Sequence, residues 1–430
     1  MSSFDFARTR CAPIINENRT PSPNLSPRPY PSPIHSHLPP EIMTIIFTIC
    51  CTSLSKSWED RSDVYPKLPP PFVLMSVCLS WRTLVLNTQH IWTSLQIRIS
   101  DRESKPSNAH QKVSALMEWW RSKSHLLPIN IAMKIPPAHQ HVFGNEDLFE
   151  RLIPLADKWE SLHLQMPSSY FSPWFLAERI HAPKLRSIVF EISRSSRLID
   201  TYPLADKHQG IFSRPKTMIL EAPLLSELTI ISTRTKRRRD PLFDFLHWSF
   251  PCSTLTKLHL VGRLSIHLIV YLNILSEAKN LIDCHLDLPN WTPNMIQEID
   301  PSLKNIILPK LQNLLLYSLV STSSARPYSG LEILRFLTLR SLQSLTIQNN
   351  VPNHLRAGVF PLGSVLTELY TRSFFPLKIL NIRCSKGFEF FGIQEFLRNV
   401  PTIQDVTLEE CGFETEKDSL NINLCPPILP

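Results

Sequence analysis

Glycine is scarce, at nine in 430 residues. None of the nine forms G-x-G-x-x-G or G-x-x-x-x-G-K-[ST], the spacings that let successive backbone amides close around phosphate. Nucleotide binding by either loop is therefore excluded. H-E-x-x-H and G-x-S-x-G are also missing, so there is no two-histidine zinc helix and no nucleophile on a strand-to-helix turn. The nine cysteines, at 11, 50, 51, 78, 252, 284, 384, 411 and 425, include no C-x-x-C pair. That argues against a disulfide framework or a zinc module and fits a reducing compartment. His35 with His37, and His139 with His141, stand two apart without flanking cysteines or carboxylates; they read as exposed polar residues and not as metal ligands. Cys411 reads as a small buried residue and not as a nucleophile. Neither a cofactor nor a catalytic residue is expected.

Long apolar runs are lacking too. The most apolar stretch, Leu264 to Leu275, is broken by His267 and Asn273 and falls short of the roughly 20 residues a bilayer requires. No basic segment followed by an apolar one precedes Pro21, so a secretory signal is not expected. The expectation is a soluble protein of cytoplasm or nucleus, without a membrane partner. Net charge is +8, and Arg234, Lys236, Arg237, Arg238 and Arg239 alone supply five of these charges. The excess is one loop, read as solvated or as a nuclear-import signal, and a nucleic-acid partner is not expected.

The residues present divide the chain into a front and a long remainder. Residues 1–36 are polar and carry prolines at near-alternate positions from Pro21 to Pro33, the composition of a disordered tail. At 37–95 the pattern changes. Pro39 and Pro40 suit the first turn of a helix, where a missing amide hydrogen costs nothing. Ile42, Ile45, Ile46 and Ile49 then recur at helical spacing. Val73, Leu74, Val77, Cys78, Trp81, Leu84 and Val85 repeat that spacing and are expected to cover the isoleucine face. The residues between the first two helices, 52–70, form a polar insert expected on the surface.

Leu38-Pro39-Pro40-Glu41-Ile42 with Ile46-Phe47, followed by Val77-Cys78, Trp81-Arg82 and Trp92, resembles the F-box in the variant abundant in fungal F-box proteins. Leu79 departs from it, standing where the family usually has a polar or basic residue. The resemblance implies a small all-α module that binds a Skp-type adaptor and, through it, a cullin. The contact and the module's own core would share Leu38, Pro39, Pro40, Ile42, Ile45, Ile46, Val77, Trp81 and Leu84.

Beyond the front, Leu95-Gln96-Ile97-Arg98-Ile99 alternates as a strand does. A helix carrying Val113, Leu116, Met117, Trp119 and Trp120 follows, then a strand over 128–133, so that 96–158 opens a strand and helix stack. From Trp159 onward a hexamer recurs, starting at 159, 185, 225, 255, 281, 311, 342, 377 and 403, with apolar residues at its first, fourth and sixth places. This resembles leucine-rich repeats. The ladder asparagine or cysteine of that family survives only as Asn350 and Cys411. Prolines before several hexamers, as in Ala182-Pro183-Lys184-Leu185, Ala222-Pro223-Leu224-Leu225 and Leu308-Pro309-Lys310-Leu311, are read as ending a preceding helix.

The expected fold is α+β: a disordered tail, a helical F-box module, and an irregular α/β leucine-rich-repeat solenoid with a parallel sheet over 159–430. Alternation turns the residues between the leucines onto the opposite face. Glu227, Lys257, His259, Asp283, His285, Asp287, Tyr317 and Arg383 are the candidates there to meet a protein target of unknown identity. The expected function is that of a substrate-recognition subunit of a Skp-cullin-F-box ubiquitin ligase, itself not an enzyme. The alternative is a repeat scaffold whose front helices only cap the first strand.

Overall fold

The computed structural model describes residues 38–53, 69–99, 106–124, 126–136, 151–167, 170–171, 179–193, 218–232, 248–262, 264, 266, 268–289, 291, 299–300, 303, 305–318, 329–349, 361–384, 390–409 and 420–421. The proline-dense tail, most of the 52–70 insert, His139 and His141, the basic run at 234–239, Asn350 and Cys411 lie outside the described residues.

Mixed α/β structure follows, with a large parallel sheet and several helices. The front is three helices: α1 (Pro40–Ser53), α2 (Pro70–Met75) and α3 (Leu79–Asn87). Proline opens the first two, and Met43 N–H closes the first turn of α1 onto Pro39 O at 3.1 Å. The thiol of Cys78 caps α3, accepting the Trp81 amide at 3.5 Å. A 3-10 turn (Gln89–Thr93) leads directly into β1 (Ser94–Arg98). Next come α4 (Pro106–Lys123), β2 (Ile129–Lys134) and β3 (Trp159–Pro167).

The chain then alternates between two layers. β4 (Arg179–His181), β6 (Met218–Glu221) and β8 (Trp248–Ser249) form one small parallel sheet, and β11 (Ile306–Ile307) pairs with β13 (Leu337–Thr338) in another. The other layer is made of β5 (Ser187–Ser193), β7 (Glu227–Ser232), β9 (Lys257–Gly262), β10 (Asp283–Leu288), β12 (Asn313–Ser318), β14 (Ser344–Asn349), β15 (Ile379–Cys384) and β16 (Asp405–Glu409). Helices α5 (Leu268–Glu277), α6 (Leu362–Ser373) and α7 (Phe390–Asn399) replace back-layer strands in three units. β17 (Leu420–Asn421) is last.

The main sheet has twelve strands in the order β1-β2-β3-β5-β7-β9-β10-β12-β14-β15-β16-β17, parallel throughout except for the last pair. The nine hexamers stand side by side in it. Ile188 is level with Leu228, Leu228 with Leu258, Leu258 with Cys284, and the register continues to Leu380 and Val406. Every first, fourth and sixth residue of the nine hexamers is buried. One backbone pattern recurs from β5 to β16: the carbonyl preceding a strand takes two amides from the next unit. Ser226 O, for example, accepts Thr256 N–H at 2.8 Å and Lys257 N–H at 3.0 Å, using both lone pairs.

The prolines act differently from expectation. Pro183, Pro223 and Pro309 follow β4, β6 and β11, which are strands and not helices. They sit in tight turns such as Leu185 N–H to Ala182 O at 3.2 Å and Leu225 N–H to Ala222 O at 3.0 Å. There proline turns the chain from one layer to the other, and its missing amide hydrogen removes no ladder bond. Where α6 meets β13, side chains take the place of a neighbouring strand. Arg372 donates through Nε and Nη2 to Leu337 O at 3.0 and 2.8 Å, and Leu339 N–H donates to Ser373 Oγ at 3.0 Å.

Candidate binding surfaces

Helix α1 is apolar on more than one side. Its inward stripe is Met43, Phe47 and Cys51, with Phe47 at 1% exposure and its ring 4.7 Å from that of Trp81. Burial pushes the Cys51 thiol up to about 12, so this cysteine is packing material. Ile42, Ile45, Ile46 and Ile49 lie on the other side and are exposed, Ile49 at 57%. The expectation that α2 and α3 cover them is overturned. Val73 and Val77 are themselves exposed, and Leu79 reaches 75%. The cover is supplied to the opposite stripe, where the Phe47 ring packs on Trp81.

The nine residues proposed for the adaptor therefore divide. Leu38, Trp81 and Leu84 are half-buried and pack on the core, while Pro39, Pro40, Ile42, Ile45, Ile46 and Val77 face outward. Ile49, Val73 and Leu79 belong with the outward set, and the same helical spacing that marked their neighbours could have found the first two. Seven of the fourteen large apolar residues exposed among the described residues fall between 42 and 79. Single exposed leucines are ordinary, but such a concentration marks a surface with a use.

The second surface is the open face of the main sheet, opposite the buried leucines. Lys257 and Asp283 are level on β9 and β10, as are His259 and His285. The two rings meet edge to face, 5.7 Å between centroids. His259 Nε2 lies 3.6 Å from Asp283 Oδ1, and His285 Nε2 lies 3.2 Å from Asp287 Oδ1. Burial depresses the His259 pKa, and the Asp283 carboxylate only partly offsets it. Glu227 is level with Lys257 on the far side. Tyr317 sits beside Asp287, but Arg383 is two strands further and is paired with Glu409 at 2.8 Å.

Asp287 corrects the expectation of an open-face target contact, being 5% exposed. Its Oδ2 accepts the Gly262 amide, and Tyr271 Oη donates to its backbone carbonyl at 2.9 Å. Gly262 is needed there. Its φ is +88°, and a Cβ would enter the Ser232 carbonyl. One pair was missed: His163 Nε2 lies 2.9 Å from Glu191 Oε1, and this hydrogen bond lowers the Glu191 pKa. The signal was available, since His163, His259 and His285 all occupy the fifth place of a hexamer.

Among the described residues no group of three or more histidines, cysteines or acids is placed to hold a metal, and no helix is long and apolar enough to cross a membrane. No known family model matches the chain, and no curated protein matches it.

Proposed function

We propose that the chain is the target-recognition subunit of a Skp-cullin-F-box ubiquitin ligase, with an F-box at 38–95 and leucine-rich repeats behind it. The carrying observation is the row of outward apolar side chains on α1 and the start of α3, Ile42, Ile45, Ile46, Ile49 and Leu79. They are exposed, and they coincide with the stretch that resembles the F-box. The side-by-side hexamers support the repeat assignment. In this reading the open face of the sheet holds a protein target near a charged conjugating enzyme, and the target lysine reacts through raised local concentration. The chain supplies binding and no bond-making residue, and it works in cytoplasm or nucleus.

The test is co-purification with a Skp-type adaptor. Ile45→Glu and Ile49→Glu change exposed residues and should shift stability by no more than about 0.5 kcal/mol. Adaptor recovery should fall about tenfold or more, the equivalent of about 1.4 kcal/mol of contact energy. Undiminished recovery with both variants overturns the reading.

The scaffold alternative has its own support. Val85, Ile91 and Trp92 of the front share one core with Leu95 and Trp120, which supports a cap at the β1 end of the sheet. A pure cap would be monodisperse without the adaptor and would leave the isoleucine row unexplained.

A further inference from the structure

We infer that Phe72, Trp92, Trp119 and Trp120 are positioning residues that fix the exposed helix face at one angle to the open face of the sheet. Phe72 comes from α2, Trp92 from the 3-10 turn, and the other two from α4, so the rings join the helical front to the beginning of the sheet. Their centroids stand close: Phe72 to Trp92 5.9 Å, Phe72 to Trp120 5.7 Å, Trp92 to Trp120 5.1 Å and Trp92 to Trp119 6.1 Å. The contacts are edge-on or tilted, the arrangements that aromatic quadrupoles favour.

The connection itself offers nothing that bends. Residues 69–99 contain no glycine, and only Thr88 separates α3 from the 3-10 turn that enters β1. A hinge needs a few residues free to change φ and ψ. Here Ile91 and Trp92 are buried, and Trp92 Nε1 donates to Val85 O in α3 at 2.9 Å. Bending at Thr88 would part α3 from the 3-10 turn and break that bond. The indole N–H groups of Trp119 and Trp120 reach no acceptor among the described residues, so these rings serve by shape. Lys123 Nζ lies 5.4 Å from the Trp119 ring centre and adds a cation contact to that ring.

The consequence for ubiquitin transfer rests on the ligase reading: a target would be presented at one distance from the adaptor, and only lysines within a fixed zone would react. The wedge does not rest on that reading, and its test uses no adaptor. In the full chain, Cys11, Cys78, Cys384, Cys411 and Cys425 are replaced by serine, and the buried Cys51, Cys252 and Cys284 are kept. One spin label goes on exposed Cys50 and one on Ser187→Cys in β5. Pulsed dipolar spectroscopy should give a single narrow distance population for this parent and for its Trp120→Phe variant. With Trp120→Ala the distribution should broaden about twofold or split, as the front opens independently. A broad or double distribution in the parent, or an unchanged narrow one with Trp120→Ala, overturns the inference. Should Trp120→Ala lose its circular dichroism, Phe72→Ala replaces it and the same two outcomes decide. Loss of adaptor binding with a narrow parent distribution would remove the ligase reading and leave the wedge.

Discussion

His259 shows how one residue's surroundings become a property of the protein. Burial favours its neutral form, against the pull of Asp283, so its folded pKa lies below the unfolded value of about 6.5. In the interval between the two values the unfolded chain binds the extra proton. Stability from this residue is therefore complete above about pH 6.5 and is lost as pH falls. Glu191 acts lower on the scale. His163 holds its carboxyl below the usual range, so its contribution is present above about pH 4.3 and disappears as pH falls through the folded value. Urea midpoints should accordingly decline in two stages on acidification, and His259→Gln should remove the first while leaving the second. A wild-type slope retained in His259→Gln between pH 7 and 5 would show that another group titrates there. The histidines at fifth hexamer places could be read from the sequence. The burial of Asp287 could not, because strand alternation alone leaves it on the open face, and the Gly262 amide from β9 and the His285 ring are what cover its carboxylate.

Among elements, α6 and α7 cross closely where Gly363 meets Gly392, a contact that the sequence does not announce. A Cβ on Gly363 would enter the backbone of Gly392, whereas a Cβ on Gly392 would come 3.2 Å from Gly363 Cα. The two substitutions should therefore differ. Gly363→Ala should cost about 3 kcal/mol or more by overpacking. Gly392→Ala should fall near zero, because the helix propensity gained, about 1 kcal/mol, offsets the tighter contact. Equal losses in chemical denaturation would mean the helices separate freely. Helix α1 teaches the limit of periodicity. Its isoleucines at 42, 45, 46 and 49 and its stripe at 43, 47 and 51 both have helical spacing. Spacing alone does not choose between them, and the ring of Trp81 does. The prolines before the hexamers likewise marked a boundary correctly without revealing whether a strand or a helix comes before it.

At the scale of the whole molecule, the front and the sheet share a core in which Phe47, Val85, Trp92, Leu95 and Trp120 are all buried. A piece ending near residue 95 would lose Trp119 and Trp120 and leave Trp92 half uncovered. Roughly 60 residues are already marginal for a lone core. Residues 38–95 expressed alone should therefore lack fixed tertiary structure, with little near-ultraviolet dichroism and no cooperative melting. A sharp unfolding transition in that piece would show that the front is autonomous.

The sequence by itself determined what is local: the proline-started helices, the recurring hexamer, and the period-two burial of its leucines, because each depends on neighbours within a few residues. The parallel direction of the main sheet followed as well, since one hexamer is joined to the next by a long crossover and not by a tight turn. Tertiary structure alone decided which stripe of α1 is buried, that Asp287 is covered, and that four aromatic rings lock the front to the sheet. Those outcomes depend on which surfaces meet across tens of residues, and burial is a property of that meeting and not of the residue's own spacing.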